Sequence, residues 1–125
     1  MIAKNQYIEW KEKKPHFIRM RNQALFAFAG LWSTWDSGDE TLNTFTIITT
    51  KANKILSPIH SRMPVLLHPD NYETWFTADP NSLPSLFSGC LEEKLEYYEI
   101  STAINSPKNN KSSLLNPAGQ SSFTF

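Results

Sequence analysis

At 125 residues the chain has the length of one domain, and 40% hydrophobic with 13% aromatic residues exclude disorder as its main state. A single cysteine, Cys90, excludes an internal disulfide framework, and no apolar run approaches the roughly 20 residues that span a bilayer. The formal charge is zero, from 12 Lys+Arg against 12 Asp+Glu, which excludes a uniformly basic nucleic-acid binder while leaving room for a polarised one.

The first half reads as strands. Residues 6–10 (QYIEW) are short and β-rich, and residues 11–15 (KEKKP) form a polar turn closed by proline. Residues 16–20 alternate weakly and turn again at 21–23. Residues 25–32 (LFAFAGLW) are a nearly continuous apolar run of strand length, which predicts a strand covered on both faces. Ser37-Gly38-Asp39-Glu40 is a turn, and residues 43–50 (NTFTIITT) carry the strongest β-propensity in the chain.

The period then changes. Residues 51–58 (KANKILSP) suit a short helix ended by proline, and residues 59–67 a loop leading into a short apolar strand. Residues 69–76 place Pro69 and Asp70 in a first helical turn, with Tyr72, Trp75 and Phe76 at helical spacing. A second short helix is expected over 82–87 and a strand over 97–102. Beyond Asn105 the chain is polar, and 111–125 reads as a flexible tail. Strands in a run with short helices inserted late predict an α+β domain on a mostly antiparallel sheet. Trp32, Trp35 and Trp75 are assigned to the core or to support of the fold.

Charge is segregated along the chain. Lys4, Lys11, Lys13, Lys14, Arg19 and Arg21 outweigh Glu9 and Glu12 in residues 1–23, Lys51, Lys54 and Arg62 follow, and acidic groups dominate 65–100. This fits either a nucleic-acid face or solubilising charge on edges and turns, and charge alone leaves both open. The opening residues lack the apolar stretch of a secretory signal, so a cytoplasmic protein is expected.

Generic motifs are few. A Gly-rich phosphate loop, a CxxC pair and an HExxH are all lacking, and His16, His60 and His68 do not show metal-ligand spacing, so no metal and no cofactor are expected. Ser61 follows His60, but neighbours in one loop rarely make a nucleophile–base pair, and no nucleophile elbow is visible.

Five segments are informative when read in order: Tyr7-Ile8-Glu9-Trp10; Phe26-Ala27-Phe28-Ala29-Gly30-Leu31-Trp32; Thr46 to Asn53 (TIITTKAN); Ile59-His60-Ser61-Arg62-Met63-Pro64-Val65; and Ser101-Thr102 with Asn105-Ser106-Pro107-Lys108-Asn109. This series resembles the SRAP family (SOS response-associated peptidase, also called abasic site processing proteins). The resemblance covers about residues 6–110 and implies an SRAP-like, partly barrel-like fold, with residues 1–110 as its C-terminal part and the family's N-terminal strands missing.

In that family the residue after the initiator Met is a cysteine whose amine and thiol capture the ring-opened abasic sugar, as a Schiff base and then a thiazolidine. The resemblance assigns Glu9 to the carboxylate that moves protons around the amine and His60 to the acid or base at the sugar, chemistry that imidazole performs near neutral pH. Arg62 is the expected phosphate ligand, Thr49 a hydroxyl donor to the same backbone, Trp10 a stacking platform and Lys108 a further contact. The implied partner is single-stranded DNA with abasic sites.

Position 2 is Ile2 rather than cysteine, and Cys90 lies mid-chain where a thiazolidine cannot form. Covalent capture by this chain alone is therefore expected to be absent, with a second chain or a dimer completing the sheet. Two other readings stay open: a peptidase or hydrolase, as the family's older name suggests, and a non-catalytic fragment.

Overall fold

The computed structural model describes residues 1–87 and 94–119. Cys90 lies outside them. Ten strands and one short helix follow in chain order. β1 (Ile2–Lys4) leads into a hairpin of β2 (Gln6–Lys11) and β3 (Lys14–Met20). Its two-residue turn, Glu12-Lys13, has φ of 48° and 67°. Positive φ at both positions matches the right-handed twist of the flanking strands, and it fixes the register that sets Glu9 opposite His16. β3 is covered on both sides, because its neighbours Phe17 and Ile18 are both buried.

The apolar run at 25–32 is not one strand. It divides into β4 (Phe26–Phe28), wholly buried, and β5 (Gly30–Asp36), exposed beyond Gly30. The segment 43–50 divides likewise into β6 (Thr41–Ile47) and β7 (Thr49–Lys51). A third break separates β8 (Arg62–Pro64) from β9 (Leu66–Leu67). β4 pairs with β9 and with β1, β5 with β6, and β7 with β8, all antiparallel.

The three breaks coincide in space. Ala29 donates its backbone N–H to Val65 O, Val65 to Ile48 O, and Ile48 to Ala29 O, each at 2.9 Å. This closed cycle lets three strands exchange partners at one point with no backbone group of the ladder left unpaired. Gly30 follows the node because the strands approach closely there: a Cβ on it would lie 3.1 Å from Thr46 O.

Residues 51–58 do not form the expected helix. Lys51 ends β7, and the loop makes a single turn in which Ser57 N–H bonds Asn53 O at 2.8 Å while the Asn53 side chain accepts from Leu56 N–H at 3.0 Å. A side-chain bond that satisfies the backbone locally, followed by Pro58, stops propagation. The later helix is present: a 3-10 turn at Pro69–Asn71 runs into α1 (Tyr72–Thr77), and the second expected helix is a 3-10 segment at Leu83–Phe87.

β10 (Leu95–Glu99) begins two residues earlier than the expected strand, because buried Leu95 pairs with Met20 on the free edge of β3. Ser101 then accepts from Ala103 N–H and starts the 3-10 segment Thr102–Asn105. The stretch 111–125 is described as far as Gly119. Its first residues return to the sheet, where Tyr98 Oη donates to Leu115 O, Ala118 N–H donates to Glu99 O, and Ile100 bridges to Pro117.

The result is an α+β domain dominated by antiparallel sheet, with no closed barrel among the described residues. One core cluster unites Ile18, Met20, Phe26, Phe28, Leu56, Ile59, Met63 and Leu95; a second holds Ala29, Val65, Leu67 and Trp75. Trp75 is therefore core, as expected. Trp32 and Trp35 are not: they are 75% and 59% exposed. Among the described residues their strand, β5, pairs only with β6, and it carries them out beyond both core clusters. Among the described residues no helix is long and apolar enough to cross a membrane.

Candidate nucleic-acid interface

The β7–β8 ladder builds the most connected polar cluster among the expected site residues. Arg62 stands opposite Lys51 and reaches diagonally to Thr49. Its Nε donates to Thr49 Oγ1 at 3.1 Å, and its Nη2 donates to Thr49 Oγ1 at 2.8 Å and to Thr49 O at 2.7 Å. These bonds fix the plane of an exposed guanidinium.

His60 joins the same cluster. Its Nδ1 lies 3.0 Å from Arg62 O and 3.1 Å from Arg62 N. When Nδ1 accepts from the Arg62 N–H, Nε2 carries the proton and can donate it. When Nδ1–H donates to Arg62 O, Nε2 is a free base. The loop is held from beneath by buried Leu56, Ile59 and Met63, so an exposed imidazole sits on a packed support.

Glu9 and Trp10 occupy β2, and neighbours on a strand leave opposite faces. Glu9 shares its face with Tyr7, whose ring packs edge-on against Phe28 at 5.3 Å and Phe26 at 6.3 Å. That face meets the core cluster containing Ile59 and Met63, the residues beside His60 and Arg62. Burial pushes the Tyr7 phenol well above its ordinary range, and the Glu9 carboxylate pushes it further in the same direction. Glu9 Oε1 accepts from the Trp10 backbone N–H at 3.2 Å. Among the described residues no hydrogen bond or ion pair joins Glu9 to His60.

Trp10, on the other face, lines an open cavity of about 370 Å³ with Lys13, Thr102 and Asn105. The fold thus brings the Tyr7–Trp10 and Ser101–Asn109 segments together although they are far apart in sequence. Lys108 is exposed on the same stretch, which Asn109 Nδ2 ties down through a 2.8 Å bond to Ala103 O. Two residues near these groups were not legible as site residues: Lys13, brought to Trp10 by the hairpin turn, and His16, set opposite Glu9 by the register. The two-residue turn is the signal that would have given both. Among the described residues no group of His, Cys, Asp and Glu could hold a metal ion.

Fold and site together define an antiparallel α+β domain presenting a fixed arginine and a hydroxyl on one exposed ladder, with a histidine on the loop that enters it. Residues 1–107 match the family model described as "SOS response associated peptidase (SRAP)". The chain belongs to the SRAP family. It is 39% identical to the Bacillus subtilis "Abasic site processing protein YoqW" over 124 residues, covering 92% of this chain and 55% of that protein. It is 29% identical to the Escherichia coli "Abasic site processing protein YedK" over 120 residues (89% and 54%), and 28% identical to Xenopus tropicalis "Abasic site processing protein HMCES" over 137 residues (88% and 40%). A crystal structure of a Bacteroides thetaiotaomicron protein superposes with a TM-score of 0.81 at 26% identity, over 93% of this chain and 55% of that one. The chain spans about half the length of the curated relatives it matches.

Proposed function

We propose that this chain supplies the phosphate-gripping and proton-transfer side of an abasic site processing domain acting on single-stranded DNA in the cytoplasm. Arg62, oriented by Thr49, holds a backbone phosphate next to the lesion. His60 Nε2 exchanges a proton with the opening sugar, and Glu9 moves protons at the attacking amine. Trp10 and Lys108 contact the flanking strand. The observation that carries this reading is the Arg62–Thr49–His60 cluster, an exposed guanidinium fixed by hydrogen bonds with an imidazole beside it, in a chain of this family.

The capture step itself needs thiol and α-amine on one residue, and the one cysteine of these 125 residues is Cys90. The role proposed for this chain is therefore binding and proton transfer. The test is fluorescence anisotropy with a labelled single strand carrying one abasic site, against the same strand intact and against duplex. Tighter binding of the abasic single strand, weakened by Arg62→Ala, supports the reading. Equal affinity for all three, unchanged by Arg62→Ala, overturns it.

A further inference from the structure

β5 and β6 form a two-stranded ribbon seven residues long, pairing Gly30–Asp36 with Thr41–Ile47 and, among the described residues, nothing else. Its apolar side chains are on both faces. Trp32 and Phe45 stand opposite each other on one, and Leu31, Trp35 and Leu42 lie on the other. All five are exposed, Trp32 by 75% and Phe45 by 70%. At the base of the ribbon, Met1, Ile2, Leu31, Trp32 and Phe45 line an apolar groove of about 290 Å³. An isolated two-stranded ribbon is marginally stable in water, and open apolar edges invite pairing.

We infer that this ribbon and groove are a docking surface for a strand-bearing polypeptide, namely the part of the family domain that lies outside the matched residues. Two observations select that occupant. Nearly half of the B. subtilis and E. coli relatives lies outside the match, as does nearly half of the Bacteroides structure, and a portion of that size sharing one core with the matched half needs a surface on it to pack against. The ribbon offers apolar side chains on both faces and two strand edges for backbone pairing. Its charge argues against nucleic acid: residues 22–50 contain no Lys or Arg, and the turn carries Asp36, Asp39 and Glu40. The aromatic pair therefore faces a polypeptide, while the chain's basic groups lie on other elements.

The inference rests on family membership and not on the DNA reading, so its test omits DNA. The 125-residue chain is titrated with the portion of the B. subtilis relative outside the match, followed by calorimetry and by light scattering after gel filtration. A one-to-one complex is expected. Trp32→Ser with Phe45→Thr should weaken it on the order of tenfold to a hundredfold, as for buried interface aromatics, while Phe76→Ser, equally exposed but off the ribbon, should not. Thermal melts check that the double variant remains folded; its side chains are already in solvent. Complex formation unaffected by Trp32→Ser with Phe45→Thr overturns the inference. So does failure to bind together with a dimer of this chain that the same pair of substitutions abolishes, which would make a second copy the occupant. A loss of single-stranded DNA affinity in that variant with the polypeptide complex intact would assign the ribbon to nucleic acid instead.

Discussion

Arg62 and Thr49 meet across the β7–β8 ladder, with two guanidinium nitrogens of Arg62 converging on Thr49 Oγ1 at 2.8 and 3.1 Å and one reaching Thr49 O at 2.7 Å. The contact uses one edge of the fork to hold the other in place. A lysine at this position keeps the charge but loses the plane.

From that geometry, Arg62→Ala should reduce the slope of log affinity against log salt for single-stranded DNA by about 0.7, the loss of one phosphate contact. Arg62→Lys should keep the slope and lose affinity. Anisotropy titrations at four salt concentrations measure both, and an unchanged slope in Arg62→Ala would remove Arg62 from the interface.

The backbone cycle through Ala29, Ile48 and Val65 predicts sensitivity to side-chain size. Ala29 is fully buried beside Val65, Leu67 and Trp75, so Ala29→Leu should cost about 1–3 kcal/mol by overpacking. Urea denaturation reads this as a lower midpoint at unchanged slope. Stability equal to the parent chain would mean that the node is loosely packed.

The Glu12-Lys13 turn holds two side-chain-bearing residues at positive φ, where Asn-Gly is the favoured pair. Replacing the pair by Asn-Gly should stabilise the domain by about 1 kcal/mol through relief of left-handed strain. The same denaturation experiment checks the sign.

Tyr7 predicts an alkaline limit. Its phenol is raised by burial and then by Glu9. The unfolded chain releases the proton near pH ~10 while the folded chain keeps it. The contribution to stability is therefore full below that pH and declines above it. Tyr7→Phe should flatten the loss of stability above pH ~10 relative to the parent chain, measured by urea midpoints across pH 8–11.5. An identical pH profile in the two proteins would show that Tyr7 is not the group responsible.

Much of the fold was legible locally. The segment 6–10 is short and β-rich and runs into a polar turn, and β2 with its hairpin follows; Pro69 and Asp70 open a helical segment where they stand. The breaks at Ala29, Ile48 and Val65 were not legible, because a strand changes partner for reasons that lie in other strands. Residues 51–58 misled for a related reason. Their composition favours a helix, but the Asn53 side chain accepts from the Leu56 N–H, and Ala52, Leu56 and Ile59 are drawn into the core.

Among the site residues, order and spacing pointed to the family and nominated Glu9, Thr49, His60 and Arg62. That Arg62 grips Thr49 depends on the β7–β8 register, which the intervening loop alone does not set, whereas the His60 contact with the Arg62 backbone is local. Trp32 and Trp35 show the converse. Trp32 at the end of an apolar run and Trp35 just beyond it read as core or fold support, yet both stand in solvent on a ribbon.

By itself the sequence determined what each segment can form: where strands turn, which residues are candidates for chemistry and to which family their order belongs. The tertiary structure alone decided which apolar faces are covered and which polar groups touch. Burial and hydrogen bonding between strands are set by partners tens of residues away, and a local pattern carries no record of them.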